Sequence, residues 1–317
     1  MKIKSLLILN WAFEAYKHEK MGFYAIYFSI CKFNNYHLYA SVEEESEMIV
    51  SVIGAGAIGS AVARSLIESR IDDRVIASRR HVEKIKDLEK IGIQVTNDNR
   101  KAAGEADIVI VCVKPKDVEK VIREIRDEIK GKLVISMAAA VSLSFLKRIA
   151  PEAKFVRVMP NLAILLRESF SAYSADKDVS RREKTEVEKI LKTLGRFAEI
   201  DEGMMDTVTA LSGCAPGYLA FIMKAIIEAC IKEGLPEDIA LIASAQSMIG
   251  TGRLILEGEL SISEIIKKVA TPGGVTEEEL RKMEKDKLAR SIESAIKAGI
   301  TKSRRISEEL NRSVGSS

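Results

Sequence analysis

The 317-residue chain has few of the residues on which several protein classes depend. Its four cysteines form no C-x-x-C pair, so neither a disulfide framework nor a zinc motif is indicated, and a reducing, cytoplasmic setting fits. It has three histidines and none after His81, which leaves little for a metal site or for histidine-based acid–base catalysis. A formal net charge of +3 without a block of like charge argues against nucleic acid as a partner.

The N-terminal segment, residues 1–47, lacks a long hydrophobic run. Its apolar stretches, Leu6–Phe13 and Phe23–Cys31, are shorter than the ~20 residues of a membrane span, and no small-residue cleavage site follows them. We therefore expect neither a membrane span nor a secretory signal. The segment holds 10 of the 17 aromatic residues, so we interpret it as an atypical extension ahead of a start at Met48. A structured extension that packs on the surface is the alternative.

From Met48 onward, strand and helix patterns alternate. The apolar, β-branched run Ile49–Ile53 ends in a G-x-G-x-x-G sequence, after which apolar residues recur at helical spacing. In a strand, turn and helix of this kind, the first glycine allows the tight turn and the second lets a pyrophosphate approach the backbone. The third lets the helix pack closely on the strand. We predict a dinucleotide site at Gly54, Gly56, Ala57, Ile58 and Gly59.

The end of the second strand bears on the choice of cofactor. An NAD enzyme would place an acidic residue there for the ribose 2′-hydroxyl, but this chain has Ser78, Arg79 and Arg80. A hydroxyl and two guanidinium groups suit a 2′-phosphate, because arginine forks match phosphate oxygens. NADPH is therefore the favoured cofactor, with NADH kept open. Solvated surface arginines at a helix start are the alternative interpretation.

Three later strand patterns end in residues that we expect to line the cofactor cleft, because ligands of open parallel sheets lie at the carboxyl ends of strands. The patterns are Asp107–Val113, Leu133–Ala140 and Phe155–Asn161. The predicted cleft residues at their ends are Val113, Lys114, Pro115, Ala138, Ala139 and Asn161. We interpret Lys114 as a cation at the cleft edge that faces phosphate or solvent, rather than as a catalytic lysine.

Two Gly/Pro turns, Leu211–Tyr218 and Ala270–Thr276, open onto long helical patterns. Glycine permits close backbone approach, proline fixes the entry angle, and a helix start presents N–H groups that favour an anion. Beside a nucleotide fold, these turns suggest a small acidic substrate.

Strand patterns end at Ile200, and five helical patterns follow. Because many of them have little polar surface, they must be buried, and we expect this region of ~110 residues to pack against a second copy of itself. We place a Rossmann domain at 48–202 and an all-helical domain at 203–317. The predicted helices are Tyr218–Ala229, Pro236–Glu257, Ser263–Val269, Thr276–Met283 and Leu288–Leu310.

These motifs together resemble the pyrroline-5-carboxylate reductase family, from Met48 to about Leu310. Besides the glycine turn, the matching motifs are V-K-P at 113–115, R-V-M-P-N at 157–161, D-x-x-T-x-L-S-G-x-x-P-x-Y at 206–218, Gln246 with Gly250, and P-G-G-x-T at 272–276. The chain departs from the usual family motifs at Leu162, Ala163, Cys214, Ala215, Gly217, Thr271 and Val275. These departures bear on the shape of the substrate pocket.

The resemblance implies an α/β Rossmann dinucleotide-binding domain followed by an all-α dimerisation domain, in a homodimer or larger homo-oligomer. It also implies reduction of a cyclic imino acid, 1-pyrroline-5-carboxylate, to L-proline with NADPH in proline biosynthesis. By the same resemblance, the backbone amides of Val275 and Thr276 bind the substrate carboxylate, with Gly274 in the same turn and Thr271 also touching the carboxylate. The Thr276 hydroxyl would bond the imine nitrogen and relay its proton, as the catalytic residue.

Other interpretations remain open. The hydroxyl of Thr276 could instead cap a helix as part of a capping box with Glu279. A β-hydroxyacid dehydrogenase would use Lys224, although Glu228 replaces the asparagine expected one turn later, and these two residues also fit a surface pair. A non-catalytic NADPH-binding regulator is a third alternative. A six-membered ring differs from a five-membered one by a methylene worth ~1 to 3 kcal/mol, so both ring sizes stay open.

Overall fold

A computed structural model describes residues 48–70, 74–258 and 260–313. These belong to one compact unit, Glu47–Ser317. The expectation that residues 1–47 are an atypical extension lies outside the described residues.

One eight-stranded sheet, in the order β3-β2-β1-β4-β5-β6-β7-β8, forms the first half of this unit. Strands β1 to β6 are all parallel to one another. Strand β7 is antiparallel to β6, and β8 is parallel to β7. The strands are β1 (Ile49–Ile53), β2 (Arg74–Ser78), β3 (Gln94–Thr96), β4 (Ile108–Val111), β5 (Leu133–Ser136), β6 (Lys154–Met159), β7 (Ser169–Ala175) and β8 (Gly195–Glu199). The Rossmann-like sheet is confirmed, but the sequence patterns missed β3 and β7.

Helices cover both faces of the sheet and form most of the chain after residue 204. Those of the sheet region are α1 (Ala57–Ser69), α2 (Asn99–Glu105), α3 (Pro115–Glu124), α4 (Leu143–Ile149) and α5 (Arg181–Leu194). The later ones are α6 (Met205–Val208), α7 (Ala215–Lys232), α8 (Glu237–Glu257), α9 (Ile262–Val269), α10 (Val275–Lys285) and α11 (Leu288–Ser313). A π-helical turn, Thr209–Gly213, joins α6 to α7.

The core lies on the two faces of the sheet. Along β4, Ile108 and Ile110 belong to one buried cluster, whereas Val109 and Val111 belong to the other. Because successive side chains of a strand point to opposite faces, a strand covered on both sides reads as a continuous apolar run. This arrangement explains why the parallel strands could be recognised from the sequence.

The helical region, in contrast, leaves large apolar side chains exposed in the single chain. Phe221 is 74% exposed and Ile242 is 65% exposed. The continuous helical stretch Glu202–Lys232 and helix Glu237–Glu257 are long and apolar enough to cross a membrane by length and composition alone. Length and composition do not separate a membrane span from a helix that a second subunit covers.

Candidate functional site

The glycine turn after β1 has the geometry of a dinucleotide-binding turn. Gly54 has a φ of +89°, and a Cβ there would lie 2.5 Å from Val113 Cγ1. A Cβ on Gly59 would lie 2.6 Å from the Gly54 carbonyl oxygen, so helix α1 can approach the strand only with glycine there. A Cβ on Gly56 would meet nothing within 4 Å, because this backbone faces open space in which a phosphate could approach it.

A cleft of about 790 Å³ lies beside this turn, at the carboxyl ends of β1, β2 and β4. Every residue that lines it falls between Gly54 and Glu124. Among the residues predicted from sequence, the cleft contains Gly54, Gly56, Ser78, Arg79, Arg80, Val113 and Lys114. Ala57 lines an adjoining pocket with Gly56 and Arg79. Neither pocket is lined by Ile58, Gly59, Pro115, Ala138, Ala139 or Asn161.

The end of β2 brings a hydroxyl and guanidinium groups to the cleft. Arg79 donates from Nη1 to the Ala55 carbonyl oxygen over 3.2 Å, which holds its side chain across the glycine turn. Ser78 donates to Asn99 Oδ1, and Asn99 Nδ2 donates to both carboxylate oxygens of Glu124, at 3.1 and 3.2 Å. The hydroxyl of Ser78 therefore belongs to a polar wall of the cleft.

Sequence reasoning missed part of this wall. Asn97 and Asn99 follow the three-residue strand β3, which was too short to be recognised, and Lys116 and Lys120 lie one turn apart on α3. Lys116 and Lys120 are four residues apart, so on a helix that begins after Lys114 they lie on one face. This spacing was the signal from which their position on the cleft could have been predicted.

Cys112, between β4 and Lys114, also lines the cleft. Desolvation of its partly buried side chain raises the pKa of its thiol to about 12. Lys114 is exposed and precedes α3, in which Pro115 is the first residue. Its position agrees with the interpretation of a cation at the cleft edge.

The small residues predicted at the end of β5 follow that strand directly. Ala138 is buried and Ala139 half-buried. Ala140 then adopts a φ of +60°, a left-handed conformation that costs a non-glycine residue roughly 1 to 2 kcal/mol. Such strain is typical of positions that the surrounding structure holds for function.

Asn161 uses both ends of its side-chain amide within the protein. Its Oδ1 accepts from the Ala163 amide at 3.0 Å, which caps a short 3₁₀ helix. Its Nδ2 donates to Ser212 Oγ at 3.2 Å, in the π-helical turn. Asn161 therefore joins the carboxyl end of β6 to the start of the helical region, and no cofactor is needed to explain its hydrogen bonds.

The Pro272–Thr276 bend leads into α10 and includes its first two residues. Gly273 has a φ of +74° and Gly274 is the N-cap, without a side-chain capping bond. Thr276 is the second residue of the helix, so the capping-box alternative is wrong. The exposed Glu277 accepts instead, through Oε2, from the Gly273 amide at 2.7 Å.

The described chain does not bring the bend and the cleft together. The Gly274 amide donates to the Thr271 carbonyl oxygen at 2.9 Å, and α10 packs on α11. No residue of the bend lines the cleft or its adjoining pocket. Val275, the first residue of α10, is 79% exposed.

Lys224, the candidate base of the alternative hydroxyacid mechanism, lies on the surface of α7. Its Nζ is 3.6 Å from Glu228 Oε1, and the two side chains are 71% and 56% exposed. This is an ordinary i,i+4 helix-surface pair. Among the described residues, no group of three or more histidine, cysteine, aspartate and glutamate side chains could hold a metal ion.

Two family models match the chain. The model described as pyrroline-5-carboxylate reductase dimerisation matches residues 202–306. The model described as NADP oxidoreductase coenzyme F420-dependent matches residues 49–140. The first covers the helices with exposed apolar faces, and the second covers the glycine turn and the cleft.

Relatives match over nearly their whole length. Pyrroline-5-carboxylate reductase of Corynebacterium melassecola is 32% identical over 83% of this chain and 98% of its own length. That of Methanosarcina acetivorans is 31% identical over 78% of this chain and 93% of its own. The crystal structure of Plasmodium falciparum pyrroline carboxylate reductase with NADP bound has a TM-score of 0.76 at 26% identity, covering 83% of this chain and 99% of that one.

Proposed function

Since the chain belongs to the pyrroline-5-carboxylate reductase family, we propose that it reduces 1-pyrroline-5-carboxylate to L-proline, with NADPH as its cofactor. The observation that carries the proposal is the glycine turn beside a cleft lined with basic residues. It is supported by relatives named pyrroline-5-carboxylate reductase that match this chain over nearly their whole length. A relative of this family with NADP bound supports a nicotinamide cofactor.

The residues of the cleft fit a dinucleotide. Gly56 leaves its backbone open to a phosphate, and the amides at the start of α1 favour an anion. Arg79 and Arg80 offer planar donors to a 2′-phosphate, and Lys116 and Lys120 line the same cleft. This concentration of cations at the end of β2 supports NADPH over NADH, because a 2′-hydroxyl would call for an acidic residue there.

When bound, the reduced nicotinamide supplies the hydride that the imine carbon accepts. A protonated imine is already electrophilic, so the protein has mainly to orient the two rings and exclude water. We assign the carboxylate anchor to the amides of Val275 and Thr276, with Gly274 and Thr271 shaping the bend. The Thr276 hydroxyl hydrogen-bonds the ring nitrogen and relays to it a proton taken up from solvent before hydride transfer, so the hydroxyl is unchanged at the end of the turnover.

A second copy of the chain completes the site in this proposal. The bend lies apart from the cleft in the single chain, and apolar side chains of α7 and α8 are exposed. The matched dimerisation segment spans these helices and the bend. Burying the helices against a partner removes apolar surface from water and brings one subunit's bend toward the other's cleft.

The proposal is tested by oxidation of NADPH with five- and six-membered cyclic imino acids, measured on the full chain. Thr276→Val removes the hydroxyl at nearly constant volume, and we expect it to lower kcat/KM about 100-fold while NADPH affinity stays constant. Thr276→Ser keeps the hydroxyl and serves as the matched control, with most of the activity retained.

Binding of NADPH without turnover of any imino acid would contradict the proposed reaction. Loss of activity in Lys224→Ala, together with an unaffected Thr276→Val, would select the hydroxyacid mechanism instead.

A further inference from the structure

Arg157 is a buried charge at the joint between the sheet and the helical region. It lies on β6 with its side chain only 4% exposed. Its Nη1 donates to Glu202 Oε1 at 3.4 Å, and its Nη2 lies 3.9 Å from Asp206 Oδ1. Nη2 is fully buried and makes no hydrogen bond within the described residues. These two carboxylates are therefore the charges that compensate the buried guanidinium.

Each carboxylate is also bonded to a different helix. Glu202 Oε1 accepts from the Leu143 amide at 2.6 Å, at the start of α4. Asp206 Oδ1 accepts from Ser303 Oγ at 2.6 Å, and Ser303, on α11, is 6% exposed. Arg157 thus stands between a helix of the sheet region and the long C-terminal helix.

Helix α11 carries this connection to the substrate bend. It packs against α10, whose first residues form the predicted carboxylate anchor, and also against the π-helical turn. A displacement of α11 about Ser303 therefore moves the bend. In a symmetric dimer the same displacement moves both bends. A bend therefore shifts whether it serves the cleft of its own subunit or that of the partner.

Strand β6 carries the connection to the cofactor side. Four residues after Arg157, Asn161 begins the turn at the carboxyl end of this strand, the edge at which ligands of parallel sheets bind. Arg157 therefore lies on the strand that leads to this sheet edge and also contacts the carboxylates that are bonded to α4 and α11. A lysine would keep the charge but could not address two carboxylates with a planar fork.

We propose that Arg157, acting through Asp206 and Glu202, is a positioning residue that sets the orientation of the Pro272–Thr276 bend relative to the cofactor cleft. The inference rests on the proposed reductase function. It assigns Arg157 no contact with substrate or cofactor.

The test compares two substrates of the full-length enzyme: 1-pyrroline-5-carboxylate and 1-pyrroline, which is the same ring without the carboxylate. A misplaced bend loses its grip on the carboxylate, whereas a lower fraction of folded enzyme reduces both activities equally. The measured ratio is kcat/KM for 1-pyrroline-5-carboxylate divided by kcat/KM for 1-pyrroline. We expect Arg157→Lys to lower this ratio about tenfold, which corresponds to about 1.4 kcal/mol. NADPH affinity, measured by fluorescence titration, should change less than about twofold because the cleft is intact.

Two further variants support the comparison. Ser303→Ala removes only the bond to Asp206 and should shift the ratio in the same direction by a smaller factor, even if Arg157→Lys folds poorly. Lys154→Met is the matched control, because Lys154 lies on the same strand and pairs with Glu183 on α5 at 2.7 Å, away from the helical region. It should leave the ratio unchanged.

An unchanged ratio in both Arg157→Lys and Ser303→Ala, with an active wild type, would overturn the inference and leave the reductase function standing. A wild-type enzyme that reduces neither compound would contradict the reductase function and the inference with it.

Discussion

The side-chain amide of Asn161 donates a hydrogen bond to the hydroxyl of Ser212 over 3.2 Å, across 51 positions of sequence. Ser212 also donates to the Phe170 carbonyl oxygen at 3.3 Å. In the same place, a Cβ on Gly213 would lie 2.4 Å from Met159 Cε. The end of β6 and the π-helical turn therefore meet at close range, and this close approach depends on small or hydrogen-bonding side chains.

The three glycines of the nucleotide turn should respond differently to alanine. Gly56→Ala adds a methyl to open space at an ordinary φ of −82°, so we expect the free energy of unfolding to change by less than about 0.5 kcal/mol. Affinity for NADPH should fall at least about tenfold, because the methyl occupies the approach of the pyrophosphate. Denaturant titration and fluorescence binding measure the two effects.

Gly59→Ala is the matched comparison. Its methyl would overlap the Gly54 carbonyl oxygen, so it should destabilise the fold by about 1 to 3 kcal/mol. Equal stability losses in the two variants would contradict the separate roles of these glycines.

Removing the charge of Arg80 should weaken the affinity for NADPH more than the affinity for NADH. Arg80 is exposed at the cleft wall. A charge-assisted bond to phosphate is worth about 1.5 to 3 kcal/mol, so Arg80→Ser should weaken NADPH about 10- to 100-fold and NADH much less. Arg182→Ser removes the same charge from the exposed face of α5 and should change neither affinity. Parallel losses for both cofactors would argue against the phosphate contact.

The carboxylate of Glu277 should oppose substrate binding at the bend. Its Oε2 accepts from the Gly273 amide, so a negative charge already lies where an anionic substrate would approach. Glu277→Gln keeps an acceptor oxygen and removes the charge. The KM for the imino acid should then fall about two- to fivefold, on the scale of 0.3 to 1 kcal/mol for a charge near a helix start.

The control for this prediction is Glu278→Gln, since Glu278 pairs with Arg281 rather than with the bend. A rise in KM for Glu277→Gln would mean that the carboxylate supports the bend instead of competing with the substrate.

An acidic residue in the exposed apolar face of α7 should dissociate the oligomer. Phe221 is 74% exposed in the single chain, and burying a side chain of this size stabilises an interface by about 1.5 to 3 kcal/mol. Phe221→Glu replaces that gain with a buried charge, so sedimentation should show smaller species and turnover should fall. The control is Lys90→Glu, in the sheet region, which should leave the mass of the oligomer unchanged. An unaltered oligomer in Phe221→Glu would exclude this face of α7 from the interface.

Cys112 should resist alkylation although it lines the cleft. Its pKa of about 12 leaves only about one thiol in ten thousand ionised near pH 8, and the thiolate is the reactive form. Peptide mapping after iodoacetamide treatment should find Cys112 unmodified there, with labelling that increases as the pH rises toward 12. The same treatment in concentrated guanidinium is the control, because unfolding restores an ordinary thiol. Rapid labelling of the native protein would contradict the raised pKa.

Local patterns were enough to predict the nucleotide-binding half of the fold. The parallel strands, buried on both faces, were visible as apolar runs, and the glycine spacing identified the turn after β1. Strand β7 was missed because its sequence, S-F-S-A-Y-S-A, contains three serines where an apolar run would be expected. It enters the sheet through its pairing with β6, which no local pattern reports.

The helices of the second half were predicted to within a few residues at most ends, but the details of the site depended on contacts across the chain. The sequence of Thr276–Glu279 fits a capping box with Thr276 as the N-cap, yet the N-cap of the helix in the structure is Gly274, two residues earlier. Asn99, Lys116 and Lys120 reach the cleft because strand order places their elements side by side, and strand order is a property of the sheet rather than of any segment.

By itself, the sequence determined most of the elements and the nucleotide turn, because hydrophobic period and glycine spacing act over a few neighbouring residues. Only the tertiary structure decided that Arg157 faces Glu202 and Asp206, and that Asn161 bonds Ser212. It also decided that the Pro272–Thr276 bend stands apart from the cleft of its own chain. These relationships join residues separated by tens of positions, and they exist only after the sheet and the helices have packed.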